Sequence, residues 1–130
     1  MSGNTSKVKS VTASKPPYDV NHHLSKMSST PQALFALLRD EIINLGDDVT
    51  ERFLNQYIGY RRLKNFAEVV GLRGKLNVFI DGPVRDDHGI CQDMSSIGHW
   101  GTGHLRATTA SENDIEAVLP LAAQAYVLQE

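Results

Sequence analysis

Tyr57-Ile58-Gly59-Tyr60-Arg61, Phe66-Ala67-Glu68-Val69-Val70 and Leu76-Asn77-Val78-Phe79-Ile80 stand close together in the middle of the chain. Each run is rich in aromatic and β-branched residues, and the third alternates around Asn77 and Phe79, so each is expected to be a strand. Gly71-Leu72-Arg73-Gly74 separates the second from the third and reads as a hairpin connection. Connections this short make the three strands antiparallel. Leu105, Ala107 and Thr109 alternate with His104, Arg106 and Thr108 and predict a fourth strand.

Helices flank this region. Thr30 can cap a first helix and Pro31 suits its first turn. Leu34, Leu37, Leu38, Ile42 and Leu45 follow at helical spacing, and Gly46 is expected to stop it. Asp48 and Glu51 have capping-box spacing, which predicts a second short helix using Phe53 and Leu54 as core contacts. Ser111 and Asp114 have capping spacing for a last helix carrying Ile115, Val118, Leu119, Ala122 and Tyr126. Pro120 should kink or restart it. The expected architecture is α+β: an antiparallel four-stranded sheet with N-terminal helices and a C-terminal helix packed on it.

The 130 residues suffice for one domain and a tail. Residues 1–29 hold Lys7, Lys9, Lys15 and Lys26 against one acid, Asp19, with few large apolar side chains. They read as a flexible N-terminal arm, and residues 30–130 as a single α+β domain. The stretch lacks the apolar core of a signal peptide. The chain is 41% hydrophobic and 22% charged with a net charge of −2, so it is not a globally basic nucleic-acid coat. No apolar run reaches the roughly 20 residues of a membrane span. The single cysteine, Cys91, excludes an internal disulfide and fits a reducing compartment such as the cytoplasm.

Two segments carry possible chemistry. Between Glu51 and Lys75 the cations Arg52, Arg61, Arg62, Lys64, Arg73 and Lys75 face only Glu51 and Glu68. Tyr57, Tyr60 and Phe66 are interleaved. Positive side chains hold phosphates and aromatic faces stack bases. Arg61, Arg62, Lys64, Arg73, Lys75 and Tyr60 are therefore the candidate nucleic-acid-binding residues. Charged hairpin ends also occur simply to keep sheet edges from aggregating.

The second segment is the long connection Asp81–Gly103. It contains Gly98-His99-Trp100-Gly101-Thr102-Gly103, and His99, Trp100, Gly101 and Gly103 are a candidate loop site. Asp81, Asp86, Asp87, His88, Asp93 and His99 match no metal-binding spacing, and Asp86-Asp87-His88-Gly89 reads as a turn. The glycines match neither phosphate-loop pattern. Cys91 near His88 or His99 lacks anything to orient a base, and no nucleophile elbow is present. No catalytic residue, metal or cofactor is assigned.

The series Leu45-Gly46-Asp47-Asp48-Val49, Tyr57-Ile58-Gly59-Tyr60-Arg61-Arg62, Lys64-Asn65-Phe66-Ala67 and Gly98-His99-Trp100-Gly101-Thr102-Gly103 resembles a widespread prokaryotic domain of unknown function. The likeness runs from about Gln32 to Tyr126. That family's members often sit at the carboxyl end of proteins with predicted nuclease or restriction-type modules. The resemblance implies an accessory role and brings no catalytic residue. A fainter resemblance reaches double-wing DNA-binding domains, through His99-Trp100 before the last strand and Tyr126 in the final helix. The function expected is a non-enzymatic nucleic-acid-binding or accessory module, with DNA or RNA as partner. Two alternatives stand beside it. One is a ligand-binding or enzymatic domain using the Asp81–Gly103 loop, with Asp87 or His99 perturbed beside Trp100. The other is a protein–protein module, such as a homodimer.

Overall fold

The computed structural model describes residues 17–94 and 104–129. Its strands are β1 (Thr50–Phe53), β2 (Ile58–Arg61), β3 (Asn65–Gly71), β4 (Leu76–Ile80), β5 (Cys91–Asp93) and β6 (Leu105–Thr109). Its helices are α1 (Val20–Leu24), α2 (Ser29–Ile43) and α3 (Glu112–Val127). The strands form one sheet in the order β1-β2-β3-β4-β6-β5, every pairing antiparallel. The α+β class and the antiparallel sheet are as the sequence indicated, but there are six strands rather than four.

The two added strands are edges. Thr50–Phe53 was expected to be helical; it pairs instead with β2, from Thr50↔Arg61 to Phe53↔Ile58. Its residues alternate exposed and half-buried, with Glu51 and Phe53 turned inward. The Asp48 carboxylate, expected to cap a helix, bonds Arg62 and Tyr126. β5 lies within the expected long loop, and its register runs from Cys91↔Ala107 to Asp93↔Leu105.

Between β2 and β3 the register slips. Tyr60 pairs with Ala67, but Arg61 pairs with Asn65, which leaves Phe66 as an inserted residue. Such a bulge flips the alternation. Phe66 and Ala67 thus both enter the core, and Asn65 joins Glu68 on the opposite face, donating to its carboxylate at 2.9 Å.

The core lies between one sheet face and α2 and α3. Leu34, Phe35, Leu38 and Ile42 of α2 and Ile115, Val118, Leu121 and Ala122 of α3 meet Ile58, Val69, Val78, Ile80 and Ala107. Ser28 rather than Thr30 is the N-cap residue of α2, and the helix ends at Ile43, before Gly46. In α3, Ser111 Oγ accepts from the Asp114 amide at 3.2 Å, as the capping spacing indicated. The helix runs through Pro120 without restarting. The missing donor there orphans only the Glu116 carbonyl, on an exposed residue open to water.

Residues 17–29, assigned to the arm by composition, pack on this domain. Asp19 caps α1 by accepting from the Asn21 and His22 amides. Tyr18, His22, His23 and Phe53 form a chain of ring contacts. Met27 covers Gly71, where a Cβ would collide with its side chain. A few well-placed rings and one methionine supply contact that the overall composition conceals.

Candidate functional site

The expected basic site is divided by the sheet topology. β3 has seven residues and runs from the β2–β3 turn to the β3–β4 turn. At about 3.3 Å per residue, the two turns stand roughly 20 Å apart. Arg61, Arg62 and Lys64 lie at one end of the sheet, and Arg73 and Lys75 at the other. Tyr60 belongs to neither. Its side chain is fully buried and donates to Glu51 Oε2 at 2.8 Å, so its ring is closed to a base. Arg39 grips the same carboxylate through Nε and Nη2, both at 2.8 Å. Burial first, and then the Glu51 charge, push the Tyr60 hydroxyl far above its usual range.

At the β2–β3 end the cations are already bonded. Arg62 Nε donates to Asp48 at 2.8 Å, and Nη1 to the Tyr126 carbonyl at 3.1 Å. Its guanidinium lies 4.3 Å from the centroid of the Tyr126 ring. The Tyr126 hydroxyl donates to the other Asp48 oxygen. That bond first, and then Arg62, hold the Asp48 carboxyl below the usual carboxylate range. Lys64 pairs with Asp81 at 3.4 Å. Arg61 donates to the Leu63 carbonyl at 3.0 Å. Gln129 closes the turn by accepting from the Leu63 and Lys64 amides at 3.0 and 2.9 Å.

The β3–β4 end is different. Arg73 and Lys75 are exposed, and no ion pair among the described residues takes them up. The Arg73 carbonyl accepts from the Ser28 amide at 2.9 Å and also from its hydroxyl. These bonds fix the N-terminus of α2 beside the turn. Lys26 joins them, its ammonium donating to the Asn55 carbonyl of the β1–β2 turn at 3.2 Å. The first turn of α2 has no acid and no side-chain cap. Pro31 has no amide hydrogen, and the Ser29 and Thr30 amides bond no acceptor among the described residues. Lys26, Arg73 and Lys75 thus lie at the same end of the sheet as the positive end of a 15-residue helix dipole. Lys26, Ser29 and Thr30 were missed in the sequence because they stand in the presumed arm or at its border.

The described part of the long connection is a turn and an edge strand. Asp86 accepts from the Ile90 and Cys91 amides at 3.1 and 2.8 Å, and Gly89 adopts φ +63°. Asp87 is exposed and pairs with Arg85 at 2.8 Å. Burial, and secondarily Asp86, push the Cys91 thiol up to about 11, the reverse of an activated nucleophile. Among the described residues no three His, Cys, Asp or Glu side chains gather as metal ligands. His99, Trp100, Gly101 and Gly103 lie outside the described residues. No described helix is long and apolar enough to cross a membrane.

One further group was not anticipated. Glu68 is 1% exposed on the sheet face opposite the helices. Register places it in a row with Gly59, Phe79, Arg106 and Gln92. Arg106 Nη2 donates to Gln92 at 2.8 Å, while its buried Nε has no hydrogen-bond partner among the described residues. The sequence signal was a single acid inside the run from Phe66 to Val70.

A family model described as "Domain of unknown function (DUF5655)" matches residues 20–129, from the first residue of α1 to Gln129. An uncharacterized protein of Haemophilus influenzae is 26% identical over 111 residues, covering 83% of this chain and 37% of that protein. The chain therefore spans little more than a third of that relative's length. No solved structure matches. With the model covering α1 to the end of α3, the chain belongs to the DUF5655 family.

Proposed function

We propose that this chain is a non-enzymatic accessory module that contacts the phosphate backbone of DNA or RNA through the β3–β4 end of its sheet. One observation carries this reading: the open N-terminus of α2 lies at the end of the sheet that carries Lys26, Arg73 and Lys75, none of them ion-paired among the described residues. Helix amides and unpaired cations together favour an oxyanion. The resemblance to domains carried by nuclease-bearing proteins points the same way. The cations Arg61, Arg62 and Lys64 at the other end serve mainly the fold.

The test is a salt titration of binding to single- and double-stranded DNA and to RNA. About three phosphate contacts give a slope of log K against log salt near −3 on duplex DNA. Lys26→Ala/Arg73→Ala/Lys75→Ala should remove most of the binding. Arg61→Ala/Lys64→Ala should leave most of it. The reverse ranking, or no binding at low salt, overturns the reading.

A further inference from the structure

The outer surface of the helix layer carries a groove of about 660 Å³ between α2 and α3. Ala33, Ala36 and Leu37 form one wall, and Ile115 and Leu119 the other. The helices run parallel. α2 begins beside Arg73, and α3 follows β6, whose last residue, Thr109, pairs with Leu76 at that same end. Leu37 is 47% exposed on this surface. The two alanines keep one wall low, so that a second backbone can approach closely.

Asp40, Glu41, Glu112 and Glu116 frame this apolar floor. All four are exposed, and none is ion-paired among the described residues. Glu112 has a local reason to be there, since an acid in the first turn of α3 suits the helix dipole. Asp40 and Glu41 have none. They lie in the final turn of α2, which has no basic residue, and there the dipole disfavours carboxylates. Helix stability alone does not account for them.

We propose that this groove is the docking site for a short cationic amphipathic helix of a separate protein. Ala33 to Glu41 rises about 12 Å, room for a little over two turns with apolar anchors three or four residues apart. Lysines or arginines flanking those anchors would meet the acids on both walls. The same acids repel nucleic acid and anionic lipid, so a protein segment is the complementary occupant. The inference stands on its own observations and does not depend on the polyanion reading.

The experiment titrates the full-length, isotope-labelled chain with a synthetic Leu/Lys amphipathic peptide of roughly four turns and with its Leu/Glu counterpart. The expected result is amide shifts concentrated at Ala33, Ala36, Leu37 and Leu119, with the Lys peptide at least about tenfold tighter. Asp40→Asn/Glu116→Gln should weaken it several-fold, and Ala36→Arg should abolish it while thermal unfolding stays unchanged. Equal binding of both peptides, shifts elsewhere, or indifference to Ala36→Arg overturns the proposal. So does self-association lost in Ala36→Arg, which makes a second copy the occupant. Movement of the same amides in the free chain on Lys7→Gln/Lys9→Gln/Lys15→Gln overturns it in favour of the chain's own N-terminus.

Discussion

Arg62 lies over the ring of Tyr126, its guanidinium carbon 4.3 Å from the ring centroid, although 64 peptide bonds separate the two residues. The Tyr126 hydroxyl and Arg62 share the two oxygens of Asp48, and Gly46 sits at the hydroxyl end of the ring, where a Cβ would collide with the phenol. Gly46→Ala should therefore act through Tyr126. Gly46→Ala and Tyr126→Phe are each expected to lower the melting temperature, and the double variant should fall by less than the sum. Differential scanning calorimetry on the three variants and the parent checks this. Strict additivity would disconnect the two residues.

The Asp48 pair also sets an acid limit. Its carboxyl is held below the ordinary 3.8 by Tyr126 and then Arg62. A depressed carboxyl contributes stability that is present above its unfolded value and lost as pH falls through the folded one. Arg62→Gln should thus cost more at pH 6 than at pH 2.5 in urea unfolding, because the parent loses this contribution on acidification.

His23 acts in the opposite region of the molecule. It is 1% exposed, its Nε2 has no hydrogen-bond partner among the described residues, and burial first of all lowers its pKa below 6.5. A buried neutral imidazole is a proton acceptor in the unfolded chain before it is one in the folded chain. Stability is then full above 6.5 and declines as pH falls from 6.5 toward the folded value, by at most about 1.4 kcal/mol per pH unit. His23→Phe should flatten the urea midpoint between pH 7.5 and pH 5.5. An unchanged pH slope in that variant would locate the sensitivity elsewhere.

Glu51 serves two donors at once, Arg39 and the buried Tyr60 hydroxyl. Tyr60→Phe removes one hydrogen bond and should cost about 1 kcal/mol. Glu51→Ala leaves the Tyr60 hydroxyl buried without an acceptor and should cost more, roughly 2–4 kcal/mol. In Tyr60→Phe the Glu51→Ala penalty should shrink, because no hydroxyl is then stranded. A denaturant-based double-mutant cycle reads that coupling.

Ser29→Glu separates stability from binding at the β3–β4 end. A carboxylate in the first turn of α2 interacts well with the helix dipole and should raise stability by about 0.5 kcal/mol. The same charge stands at the end of the sheet that carries Lys26 and Arg73 and should weaken DNA or RNA binding several-fold at low salt. Stability is read by urea unfolding and affinity by fluorescence anisotropy. Stronger nucleic-acid binding in this variant would remove the α2 N-terminus from the interface.

The central meander was legible because its strands carry their own signal. The Gly71–Gly74 turn and the alternation from Leu76 to Ile80 need no tertiary information. The edges were not legible in the same way. Thr50-Glu51-Arg52-Phe53 does alternate, but four residues with one large apolar side chain also satisfy a capping pattern, and pairing with β2 decides between them. Cys91-Gln92-Asp93 has no β-forming signature and is extended because β6 offers it a ladder. The candidate site was legible as residue types and not as a place. Six cations within one stretch of sequence read as one patch, yet antiparallel pairing sends alternate turns to opposite ends. Arg62 illustrates the limit: its partners Asp48 and Tyr126 lie 14 and 64 residues away.

The closure made by Gln129 bears on the order of events in folding. Most of the sheet is built from neighbouring hairpins, whose short loops close quickly, whereas Gln129 bonds the β2–β3 turn across 64 to 66 residues. Such a contact belongs on the native side of the transition state. Gln129→Ala should then accelerate unfolding and leave the refolding rate nearly unchanged, a chevron with one displaced arm. A residue just past the end of α3 would govern how long the molecule stays folded rather than how fast it gets there.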